Sequence, residues 1–261
     1  SDKVETDDDE EFAKAKGDSE ELVSNKPFKG RGTFDVIGGG GGGGGRYGTR
    51  VGGKRDLTTK GGGGGTEDYV LNALRWLARH QSPDGAWSVA GYTARGSQSC
   101  TPNPGHEDFD AGVTGLSMLA FLGSGYSHLS KDTFEGICFG DVVRKGMQWL
   151  LSHQDPEGCI GPRSAQKYMY NHTICALALS EAFGLTGSNL FKDQAQKAVD
   201  FVIAAQNPGK GWRYSYKCGD NDSSVTGWAA MVLKSAEISG LTFPRTGYDG
   251  CRALFDEFTE E

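Results

Sequence analysis

The side chains best placed for chemistry lie in three short stretches. Cys218 precedes Asp220-Asn221-Asp222-Ser223, which sets two carboxylates one residue apart beside a thiol. Asp110 opens a similar run, Asp110-Ala111-Gly112-Val113-Thr114-Gly115, and Met169-Tyr170-Asn171-His172-Thr173 stands in register between the two. An aspartic acid that donates a proton must be kept protonated by burial or by a neighbouring carboxylate. A histidine between two carboxylates would act as a general base or hold a cation. Asp110, His172, Asp220 and Asp222 are therefore the candidate catalytic residues. The competing reading is structural, because Asp and Ser at such positions accept the free N–H groups of a helix's first turn.

No metal or cofactor is expected. The cysteines at 100, 138, 159, 175, 218 and 251 form no Cys-x-x-Cys pair, which disfavours a zinc ribbon. Cys218 with Asp220 or Asp222 and a distant His172 is a poor zinc set. The acidic stretch His106, Glu107, Asp108 and Asp110 lacks the alternation of a calcium-binding loop. Two of Cys100, Cys159 and Cys218 would pair in an oxidising compartment, whereas Cys175, inside an apolar run, reads as a packed free thiol.

What must position these residues is a repeat. Residues 73–81, 146–154 and 198–206 each carry aromatic and aliphatic side chains at helical spacing and end in Gln81, Gln154 or Gln206. Each Gln leads into a turn containing Pro83, Pro156 or Pro208. Proline stops the helix, and the glycine after it permits a positive φ. A more apolar helix follows each turn, over Ala111 to Leu122, Thr173 to Phe183 and Ser224 to Ile238, with small residues suited to packing on several sides. If these helices run the same way, their N-termini converge with Asp110, His172 and Asp222 on one mouth, a setting that favours anions. Trp76 and Trp149 are expected as core anchors, and His80 and His153, each just before the Gln, as capping residues. The longer spacing of the first unit predicts an insertion at Ser88 to Glu107. A fourth helix, Arg245 to Phe258, has no partner, so the repeat reads as an open arc incomplete at its C-terminal end.

Gln81-Ser82-Pro83-Asp84-Gly85-Ala86-Trp87 resembles the QW motif of squalene and hopene cyclases. Gln154 and Gln206 begin looser copies, with Ile160 in place of Trp and Gly211 directly before Trp212. Over residues 67–261 the chain resembles bacterial prenyltransferase/squalene-oxidase repeat proteins, in which an envelope anchor, an acidic region and a Gly-rich linker precede the repeat domain. That resemblance implies an all-α fold, an α/α toroid of inner and outer helices. In the cyclases the middle residue of Asp-x-Asp-Asp protonates an alkene. Here Asp220-Asn221-Asp222-Ser223 keeps the donor position, Asp222, but replaces the last carboxylate by Ser223, so squalene cyclisation is not expected. The zinc site of protein prenyltransferases is not matched either, because the Asp and Cys stand in reversed order. Complement-type thioester chemistry is excluded, since Gly158-Cys159-Ile160-Gly161 lacks the required Gln.

Residues 1–65 are different in kind. They hold an acidic run, Asp7 to Glu11, then a basic segment with uninterrupted glycine at 38–45 and 61–65. Such a chain buries too little to offset its backbone entropy, so it reads as a disordered Gly-rich tether to a domain spanning 66–261. A net charge of −7 and few basic residues argue against nucleic acid as a partner. No apolar stretch is long enough to cross a bilayer; Ser1 in place of an initiator methionine points to processing or to a start cut from a longer sequence, and membrane attachment would come only through a segment absent from this chain. Bacterial envelope or periplasm is the expected location, with the cytoplasm left open. Two functions follow: an interaction or scaffold module binding a protein, glycan or lipid ligand in the toroid cavity, or an enzyme of the terpenoid-cyclase/prenyltransferase or polysaccharide-processing class.

Overall fold

Proline and glycine punctuation after each Gln produces the helix ends expected from it. The computed structural model describes residues 64–92 and 105–259. Residues 1–63, and with them nearly all of the tether, lie outside the described residues, as does Cys100. The first helix begins at Gly64, two residues before the boundary drawn from composition. The described residues form seven α-helices: α1 (Gly64–His80), α2 (Asp110–Gly123), α3 (Phe139–Ser152), α4 (Tyr168–Thr186), α5 (Asn189–Ala205), α6 (Ser223–Ser239) and α7 (Thr246–Thr259). A 3₁₀ turn, Glu107–Phe109, leads into α2. The fold is all-α, apart from one antiparallel hairpin, β1 (Thr133–Phe134) and β2 (Ile137–Cys138). Its turn, Glu135-Gly136, has positive φ at both residues (50° and 80°), as a two-residue loop between right-twisted strands requires. The hairpin lies in the α2–α3 link, residues 124–138, whereas α4 and α5 are joined by Gly187 and Ser188 alone. Part of the first unit's extra length is therefore here rather than in Ser88 to Glu107.

The helices sort into an amphipathic row, α1, α3, α5 and α7, and an apolar row, α2, α4 and α6. Helix α4 packs against α2 on one side, α6 on the other and α5 behind. Every residue from Asn171 to Ala182 is buried as a result. A helix enclosed this way must satisfy its hydroxyls internally: Thr173 donates to the Met169 carbonyl (2.7 Å), Ser180 to Ala176 (2.8 Å) and Thr186 to Ala182 (2.7 Å).

The repeated glutamines join consecutive hairpins. The Gln81 side-chain amide donates to the carbonyls of Gly85 (3.0 Å) and, across the junction, Val142 (2.8 Å). Gln154 does the same with Gly158 (3.1 Å) and Gln194 (2.9 Å), and Gln206 with Lys210 (2.7 Å) and Gly247 (3.0 Å). Val142, Gln194 and Gly247 are thus equivalent positions on α3, α5 and α7. At the first two junctions the turn presses on the helix so closely that a Cβ on Gly85 or Gly158 would overlap the carbonyl of Lys145 or Lys197. The third junction has Lys210 in the turn and places the glycine on the helix, where a Cβ on Gly250 would overlap the Lys210 carbonyl. The close approach survives with the glycine moved to the other side.

Six residues after each Gln come Trp87, Ile160 and Trp212. Both tryptophans are buried and hand their indole N–H to a carbonyl of the preceding amphipathic helix, Leu77 (2.8 Å) and Val202 (2.6 Å). These, not Trp76, are the deep anchors: Trp76 is 46% exposed. His80 and His153 stack on Trp76 and Trp149 (3.8 and 3.7 Å) and bond through Nδ1 to the Trp carbonyls four residues back (2.7 and 2.8 Å). They close the last turn of their helices in the same manner.

Candidate functional site at the helix entrances

The backbone N–H groups of Trp87 and Trp212 donate to the hydroxyls of Thr114 and Thr226, both at 3.0 Å, while that of Ile160 donates to His172 Nδ1 at 3.1 Å. Thr114, His172 and Thr226 are therefore the same position of α2, α4 and α6. The three apolar helices start at one rim, with Asn171 donating to the Asp108 carbonyl (2.7 Å) and Tyr170 reaching Asp222.

Asp222 is the N-cap of α6. Its Oδ1 accepts the Val225 N–H (2.9 Å) and the Tyr170 hydroxyl (3.3 Å), and its Oδ2 accepts the Tyr214 hydroxyl (3.4 Å). The two tyrosine rings stack at 6.0 Å between centroids. Lys167 Nζ and the Arg213 guanidinium lie 4.8 and 4.9 Å from the centre of the Tyr214 ring, within cation–π range. Arg213 also ion-pairs with Asp220, whose Oδ1 accepts the Asn221 N–H (2.8 Å). Asp220, Arg213, Tyr214, Asp222 and Tyr170 thus form one connected cluster with Lys167 beside it.

His172 and Asp110 are not joined to that cluster by hydrogen bonds. Asp110 is the first residue of α2, and its Oδ1 accepts the Val89 N–H at 2.7 Å, which ties the connector from α1 to the rim. His172 is fully buried against the edge of Phe201 (4.7 Å). With Nδ1 accepting from Ile160, Nε2 carries the proton and donates to the Ala198 carbonyl at 3.1 Å. Burial pushes its pKa down to about 4, so the ring is neutral at pH 7 and both nitrogens are engaged. In this state it supplies neither a free base nor an open ligand atom.

Among the described residues no group of His, Cys, Asp and Glu is arranged to hold a metal ion. The described cysteines are free thiols. Burial raises Cys159 to about 12, which keeps it protonated, while the exposed Cys218 contacts the Asp220 carbonyl at 3.6 Å. His106 lies 3.2 Å from Asp108 on the surface.

The sequence reading overlooked Tyr170 and Tyr214 as partners of Asp222. The alternation Arg213-Tyr214-Ser215-Tyr216-Lys217 carried the signal. It also missed a ladder of apolar side chains that the shared register defines: Leu116, Ile174 and Trp228 at one level, Leu119, Leu177 and Met231 one turn further. Leu116 and Met231 are 44% and 43% exposed, and Ile174 and Leu177 retain the most exposure of the enclosed stretch of α4, at 7% and 5%. Among the described residues, the ladder is thus the side on which the enclosed stretch of α4 keeps its small remaining exposure. No family model matches the chain, and no curated protein or solved structure matches it either.

Proposed function

We propose that residues 64–259 form an arc of a squalene-cyclase-like α/α toroid working as a non-catalytic interaction module of the bacterial envelope, its apolar ladder facing a protein, glycan or lipid ligand. One observation carries the reading. The carboxylate in the place of a cyclase acid, Asp222, accepts hydrogen bonds from three donors as a helix cap, so both of its oxygens are committed to holding the start of α6 and the two tyrosines. A capping carboxylate serves the fold, while Leu116 and Met231 offer exposed apolar area on the same row of helices.

The test is a displayed peptide library and a lipid-vesicle panel, screened against the wild-type chain and a Leu116→Glu/Met231→Glu variant. Ligands held by the wild type and lost by the variant support the module. Ligands held equally by both remove the ladder from it.

An enzyme of the terpenoid-cyclase/prenyltransferase class is the second reading, favoured by the two tyrosines converging on Asp222. Incubation with squalene decides it: a cyclised product that disappears in Asp222→Asn would replace the module by an enzyme.

A further inference from the structure

Four of the five cation–ring pairs among the described residues lie on one stretch of the rim, where the α3–α4 link (residues 153–167) meets the α5–α6 link (residues 206–222). Arg163 stands over Phe201 (4.7 Å), Lys167 and Arg213 over Tyr214 (4.8 and 4.9 Å) and Lys217 over Tyr216 (5.4 Å). Two backbone bonds hold this stretch together: the Tyr216 N–H donates to the Tyr168 hydroxyl (2.8 Å) and the Met169 N–H to the Tyr214 carbonyl (3.2 Å). The stretch lies between two hairpins that are both described, rather than at an end of the row.

Its charges are unevenly committed. Arg163 pairs with Asp155 and Glu157, and Arg213 with Asp220. Lys167 and Lys217 are exposed, and no carboxylate lies within ion-pair distance of either among the described residues. Lys217 holds a φ of 42°, a backbone region that an L-residue enters only at a cost, so a long cationic side chain stands where glycine would fit more easily. Tyr170 and Tyr214, both part-exposed, give their protons to Asp222, which leaves each phenolic oxygen as a fixed acceptor. Tyr216 beside them is 43% exposed.

We propose that this rim binds an acidic polysaccharide. Lys167 and Lys217 hold a uronate carboxylate, the Tyr170 and Tyr214 oxygens accept sugar hydroxyls, and the C–H face of a sugar ring lies on Tyr216. Cation, acceptor and aromatic ring thus match the three chemical faces of a uronate sugar: anion, hydroxyl donors and an apolar ring face. Placement over aromatic rings restrains the lysine side chains before a ligand arrives, so less freedom is lost on binding. A neutral glycan would leave both ammonium groups unused, and an acidic peptide would bring neither the hydroxyls nor the flat ring. The site is distinct from the apolar ladder, so it stands or falls separately from the module proposed above.

The experiment titrates polygalacturonate, alginate and hyaluronate onto the full chain, with the methyl ester of each and polyglutamate alongside. Saturable binding of at least one acidic glycan is expected, weakened about tenfold or more by esterification, by Tyr216→Ala and by Lys167→Met/Lys217→Met, and unchanged in Leu116→Glu/Met231→Glu. Lys167, Tyr216 and Lys217 are exposed, so the rim variants should keep the wild-type helical spectrum, which is checked first. Absence of binding by all three glycans, or equal binding by the esters or by the rim variants, overturns the proposal. Polyglutamate held as tightly as the glycans would make the occupant an acidic peptide and overturn it too. Binding lost in Leu116→Glu/Met231→Glu but kept in the rim variants would move the glycan to the ladder.

Discussion

The backbone N–H of Ile160 donates to His172 Nδ1 at 3.1 Å, in the place where the other two hairpins join a tryptophan to a threonine. The middle hairpin has exchanged both members of that pair. A large indole paired with a small hydroxyl has become a medium aliphatic paired with an imidazole, and His172 spans the remaining distance to the Ala198 carbonyl of α5. The substitution keeps the volume filled and the N–H satisfied, but it introduces a titratable group into the core.

Stability should consequently fall with acid. Burial lowers the folded-state pKa of His172 to about 4, below the value near 6.5 of an unfolded chain. Between those limits the unfolded state binds the extra proton, so stability is complete above about pH 6.5 and is lost as pH falls toward 4. The loss from this group is roughly 3 kcal/mol across the window. In His172→Gln, whose amide offers an acceptor and a donor without titrating, the melting temperature should lose most of its slope between pH 6.5 and 4. An unchanged slope would assign the acid sensitivity to other groups.

A glycine at a hairpin junction and one within a helix predict a contrast between two substitutions of the same kind. Gly158 has φ of 101° and its missing Cβ makes room for the Lys197 carbonyl, so Gly158→Ala should cost about 3 kcal/mol in urea unfolding. Gly227 lies within α6 with open space before it. Gly227→Ala should instead stabilise the chain, by up to about 1 kcal/mol. Equal effects at the two sites would contradict the register that separates them.

Much of the repeat could be read from residue types because each junction uses local chemistry: a Gln ending an amphipathic helix, a proline to stop it, a glycine for the turn. The Asp222 cap was legible for the same reason, since Asp before a Ser-Ser-Val start is a local signal. What was not legible depends on contacts between hairpins. The rank of Trp87 and Trp212 over Trp76 rests on which face the next helix covers, and spacing within one helix does not contain that. The role of His172 required knowing that it replaces a threonine in space. The β1–β2 hairpin has strands of two residues each, too short to give a period.

Gln154 tests whether the junctions hold the rows together. Its amide donates to Gly158 in its own turn and to Gln194 on the next helix. Gln154→Ala leaves those carbonyls with one partner fewer and should cost about 2 kcal/mol. Gln154→Glu replaces a donor by a carboxylate aimed at two carbonyls, so it should be worse than alanine at pH 7 and recover in part once the new acid is protonated. A Glu variant as stable as wild type at pH 7 would show that the amide bonds contribute nothing across the junction.

Asp222 separates a cap from an acid. As an N-cap it needs an oxygen for the Val225 N–H, and asparagine supplies one almost as well as aspartate. Asp222→Asn should therefore fold within a few tenths of a kcal/mol of wild type, whereas Asp222→Ala should lose about 1 kcal/mol. Tyr170→Phe and Tyr214→Phe each remove one hydroxyl that the carboxylate accepts, and should cost about 1 kcal/mol apiece in the Asp222 background but less when combined with Asp222→Ala. That non-additivity is what a shared hydrogen-bonded cluster predicts, and it is measured by a double-mutant cycle in urea. Strict additivity would show that the tyrosines and Asp222 act independently, and would remove the cluster as a unit from the rim.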